Sequence, residues 1–174
     1  GGKFHHLFYL YYIFKVQEIN NQVAQFRYLL IKIGQSDDCP EMRVNIRTLR
    51  RSCVNAFKDT SKEILPCIVS AFRETETGIP VDCPFLLLLF YVSQLFRREL
   101  SKSKNLIGKL PMDMTAYYES RSGPLSKIVF CKQMAPDFNQ GELDSITKDL
   151  SEIRNIIDAL QEFMPRRNAN IGNV

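Results

Sequence analysis

Residues 143 to 164, LDSITKDLSEIRNIIDALQEFM, place Leu143, Ile146, Leu150, Ile153, Ile157, Leu160 and Met164 at steps of 3, 4, 3, 4, 3 and 4. Mostly charged residues fill the gaps. That period is one face of an α-helix, so a helix is predicted over 142–165, ended by Pro165. A second stripe runs through Val16, Ile19, Val23, Phe26, Leu30 and Ile33. Gly34 is its natural stop, because glycine takes the left-handed conformation beyond a helix end without strain.

The next element opens at SDDCP, with Pro40 suited to a first helical turn. Met42, Ile46, Leu49, Cys53 and Ala56 or Phe57 share one side of this second helix. Pro66 is expected to kink or end it, with CIVSAFRE carrying the helix past the kink and a firmer break at TETGIP. The triplet DCP recurs at 82–84 and opens a third helix through roughly Lys104, apolar all round at its start and therefore buried on several sides. Pro111, Gly123, Pro124, Pro136 and Gly141 mark 111–141 as a long connector, with LSKIVFC an extended or packed piece inside it.

The fold class is therefore all-α, without convincing strands. It divides into an aromatic N-terminal extension (1–14), an antiparallel three-helix bundle (15–110), the connector (111–141), a C-terminal heptad helix (142–165) and a disordered tail (166–174). The last helix does not bury enough apolar surface by itself to offset the entropy of ordering its backbone. It needs a surface to pack on.

Charge indicates two such surfaces. The last helix carries Glu142, Asp144, Asp149, Glu152, Asp158 and Glu162 against Lys148 and Arg154. The second helix carries Arg43, Arg47, Arg50, Arg51 and Lys58, with Arg43, Arg47 and Arg50 or Arg51 on one face. The acidic helix either folds back on that face, as core of a four-helix bundle, or forms a coiled coil with another protein. The arginine face is a solvated surface, or it meets an acidic partner or anionic lipid headgroups.

Composition narrows the chemistry. The chain has 174 residues, 45% hydrophobic, with a net charge of +4, enough for one core and too balanced for a global pull on nucleic acid. Cys39, Cys53, Cys67, Cys83 and Cys131 form no CxxC pair and lie far from His5 and His6, which fits reduced thiols and no metal site. No phosphate-binding loop or nucleophile elbow is present, so no catalytic residue and no cofactor is expected. PFLLLLFYVSQLF and FHHLFYLYYIF are both shorter than the ~20 residues of a membrane span. By exclusion this is a binding or scaffolding protein.

The stretch VQEINNQVAQFRYLLIKIGQSDDCPEMRVNIRTLRRSCVNAF resembles the membrane-anchor and binding-protein family of R-seven-subfamily regulators of G-protein signalling (RGS), the RGS-nine anchor protein-like family. The match is carried by Val16-Gln17-Glu18, Phe26-Arg27-Tyr28, Leu30 to Gly34, Asp38-Cys39-Pro40 and the Arg47 to Cys53 run. LIGKL at 106–110 and KDLSEIRNIIDALQEFMP continue it in the same order, over about two-thirds of the chain. The resemblance implies a syntaxin-like three-helix bundle followed by a SNARE-like helix. It also implies a non-enzymatic adaptor that holds an RGS protein and its atypical Gβ partner near the membrane, where they speed GTP hydrolysis on Gα.

Members of that family end in a spanning helix or a basic stretch with lipidated cysteines. Here only Arg166 and Arg167 follow the last helix, and no cysteine lies beyond Cys131. Membrane association is thus expected to depend on an anchor supplied elsewhere. The alternative within the same architecture is a SNARE or SNARE regulator in vesicle fusion. Against it, the seam is short, about three heptads, and reads as wholly apolar, without a polar central layer.

Overall fold

The computed structural model describes residues 2–74, 83–121 and 138–164, and these residues are helical with connecting turns. Among the described residues five helices follow one another: α1 (Gly2–Leu30), α2 (Pro40–Glu74), α3 (Pro84–Lys109), α4 (Thr115–Arg121) and α5 (Phe138–Gln161). The expected break at 75–80, the LSKIVFC piece, Pro165 and the 166–174 tail lie outside the described residues.

The periodic stripes become the core. Val16, Ile19, Val23, Phe26, Leu30 and Ile33 are all buried, as are Met42, Ile46, Cys53 and Phe57 of α2. At the centre Phe96 of α3 stacks on Phe57 (5.2 Å between centroids) and meets Phe26 edge-on (5.7 Å). Cys53 sits in this apolar interior, and burial pushes its thiol up to about 12, so it remains protonated and inert at neutral pH.

Contacts fix the helix directions. Phe85 lies against Phe8, Tyr9 and Tyr12 while Phe96 lies against Phe26, so α1 and α3 run parallel. Lys15 pairs with Glu63, which sets α2 antiparallel to α1. Gly108 approaches Leu143, and Arg50 and Lys58 reach Glu142 and Glu152 in the same order, so α5 runs antiparallel to α3 and parallel to α2. The last helix is thus the fourth member of the bundle.

One local expectation changes, and one left open is decided. The aromatic stretch 1–14 continues the first helix, which is helical from Gly2. The reason lies in α3, whose apolar start buries Phe85, Leu86, Leu89 and Phe90 and needs a partner at that level. The second helix runs through Pro66 to Glu74. Pro66 and Lys62 both face water, so the carbonyl that loses its helical donor is satisfied by solvent.

The corner between α1 and α2 is held by backbone geometry and one carboxylate. Gly34 has φ of 79°, and a Cβ there would stand 2.8 Å from Leu110 Cδ1. Gly34→Ala is expected to destabilise the chain by about 1–2 kcal/mol, read as a shifted urea midpoint. Asp38 accepts from the Gly34 N–H (2.7 Å) and from Arg43 Nε and Nη2 (2.8 Å each). The Arg43 guanidinium, helped by the Gly34 amide, holds the Asp38 carboxyl below its ordinary value against the opposing effect of burial. Its folded-state pKa is depressed, so its contribution is present at neutral pH and lost as pH falls below about 4. Wild type is expected to lose more stability than Asp38→Asn between pH 6 and pH 3 in denaturant titrations.

Candidate functional site

A small open pocket gathers Arg43, Arg47, Tyr118 and Glu142, and its lining holds no histidine, cysteine or serine. The concentrated polar feature is instead the seam where α2 meets α5. Arg43, Arg47 and the adjacent Arg50 and Arg51 occupy three successive turns of α2, and the structure uses each arginine differently.

Arg50 is the centre. It is fully enclosed, and Nη1 donates to Asp149, which is equally enclosed, and to Ser145 Oγ at 3.1 Å. Its Nη2 donates to Glu142 Oε1 at 3.0 Å. Arg51 donates to the second oxygen of Asp149. Arg47 Nε lies 3.5 Å from Glu142 Oε2, and Lys58 Nζ 3.4 Å from Glu152. Arg43 turns away to the corner, where Nη2 also donates to the Leu110 carbonyl at 2.7 Å. Next to it, a cavity of about 60 Å³ lies between Arg43, Arg47, Tyr118 and Glu142.

A buried ion pair of this kind is a device for alignment more than for strength. Removing two charges from water cancels most of their attraction, and here Arg50 Nε and Glu152 Oε2 have no partner among the described residues. What the pair does is forbid alternatives. A one-turn slip of α5 on α2 would strand Arg50 and Asp149 against apolar neighbours.

Below and beside this seam the stripe of α5 does what its spacing requires. Ile146, Ile153, Ile157, Leu160 and Met164 are buried, and Leu143 and Leu150 are half-buried at the margin. The interior row is not wholly apolar, however. Asp149 stands in it, three residues after Ile146 and four before Ile153. The signal was present in the sequence as an acid at stripe spacing opposite a helix rich in arginine.

The site therefore leaves the arginine face of α2 mostly engaged from within. Arg50 is closed to any outside partner in this arrangement, while the side chains of Arg47 and Arg51 remain 53% and 38% exposed. Among the described residues no helix is long and apolar enough to cross a membrane.

A family model described as "Syntaxin-like protein" matches residues 14–67, the stretch that supplies the second half of α1 and most of α2. No solved structure matches the chain. The matched region is helical and similar to that family, and it contains every arginine of the seam. Such helical domains are of a non-enzymatic kind, compatible with a helical adaptor or with a SNARE-like protein.

Proposed function

We propose that this chain is a non-enzymatic adaptor that binds an RGS–Gβ complex and positions it near a membrane, thereby shortening G-protein signals. The observation that carries this reading is the ordered resemblance through the matched region, from Val16 to Cys53, joined to a last helix that closes on the arginines of that same region. An adaptor of this type does no chemistry. It raises the local concentration of a catalyst near its substrate.

The second reading, a SNARE or SNARE regulator, is favoured by the family description and by the last helix lying against α2 and α3. The buried Asp149 supplies the polar position that the seam lacked on a plain reading. Affinity capture from cell lysate with the purified chain separates the two. Recovery of an RGS protein together with its atypical Gβ supports the adaptor. Recovery of SNARE proteins without them supports the alternative and removes the first reading.

A further inference from the structure

The basic surface that α2 gives up to α5 reappears on another helix. Residues 97–109 of α3, RRELSKSKNLIGK, carry five cations and one acid. The acid, Glu99, is 4% exposed and is turned inward, where Lys102 Nζ reaches it at 3.1 Å and Arg27 at 3.8 Å. Arg97, Arg98, Lys104 and Lys109 are exposed, and among the described residues none has a carboxylate partner. Between them the outward arc of the helix holds Ser101, Asn105 and Gly108. The outward side of α5 carries Lys148 and Arg154 with Asp144, Asp158 and Glu162; Asp144 is occupied by Gln140 at 2.9 Å, and Asp158 and Glu162 lie beyond the level of the arc, because α5 runs antiparallel to α3 with Leu143 beside Gly108.

We infer that this arc of α3 is a peripheral membrane-docking face that lies against anionic lipid headgroups. Two observations choose lipid over an acidic protein. First, protein interfaces depend on aromatic or apolar anchors seated in pockets, and the arc has small polar residues where an anchor would sit. Second, lysine is depleted from protein interfaces, whereas a plane of headgroups asks only for mobile point charges. Acids of α5 do not neutralise the arc. Glu142, Asp149 and Glu152 all point to α2 and are paired there. This face stands independently of the RGS reading, because lipid contact needs no protein partner.

The test uses the purified full chain and sedimented vesicles. Binding to vesicles rich in phosphatidylserine is expected at low salt, with none to pure phosphatidylcholine and steep loss as salt rises. The triple variant Arg98→Gln, Lys104→Gln, Lys109→Gln is expected to bind about a hundredfold more weakly, at about fivefold per cation. Glutamine is a good helix former, and an unchanged thermal melt verifies that the fold survives. Lys62→Gln, an exposed cation of α2 outside both the arc and the arginine seam, is expected to leave vesicle binding unchanged. The inference is overturned if wild type ignores phosphatidylserine vesicles, if the triple variant binds as well as wild type, or if wild type binds polyglutamate while ignoring the vesicles.

Discussion

Asp149→Ala is expected to destabilise the docked fourth helix by about 3–5 kcal/mol, the usual result of stripping one partner from a buried ion pair. Arg50 would remain enclosed with Glu142 at the rim and only the neutral Ser145 hydroxyl where the Asp149 charge stood. The cheapest relief is separation of α5 from α2, which returns the guanidinium to water. Hydrogen exchange should then rise sharply through 138–164, while α1 to α3 keep their protection. The companion variant, Arg50→Leu with Asp149→Leu, should regain most of the loss, since two apolar side chains fill the site without stranding a charge. If the single variant exchanges like wild type, the pair does not hold the helix in place.

Phe96→Ala acts on the other half of the molecule. Phe96 is fully buried, stacked on Phe57 and in edge contact with Phe26, so it joins all three helices of the first bundle. Truncation removes both ring contacts and leaves a cavity, at a cost of about 3–5 kcal/mol. Against a typical total of about 5–15 kcal/mol, that is a large fraction of the stability. Here protection is expected to fall in every helix together, with the thermal transition moved down by about 6–20 °C. The contrast with Asp149→Ala is diagnostic: one change opens a helix, the other melts a core.

Much of this architecture can be read from spacing. The 3–4 stripes of α1 and α5 name their buried residues almost one for one, and Gly34 stands where the first helix must end. These are local properties, set by periodicity and by one positive φ, so they survive any tertiary arrangement. Asp149 and Arg50 are less accessible, because a charged residue is buried only when a specific partner faces it, and that partner lies 99 positions away. The aromatic N-terminus is similar: Tyr9 and Tyr12 find Phe85 only once α3 is laid beside α1. Pro66 leaves continuation and termination both open on a plain reading, since its cost depends on whether the freed carbonyl can meet water.

The long reach of the Arg50–Asp149 pair has a temporal consequence. When α1, α2 and α3 have emerged from the ribosome and collapsed on Phe26, Phe57 and Phe96, Arg50 is still a hydrated cation on the outside of a half-finished protein. The acid that will enclose it is then still to be synthesised. Closure across so many residues is the slow, late event, and a nascent chain waiting for it displays the apolar row that Ile146 and Ile153 will cover.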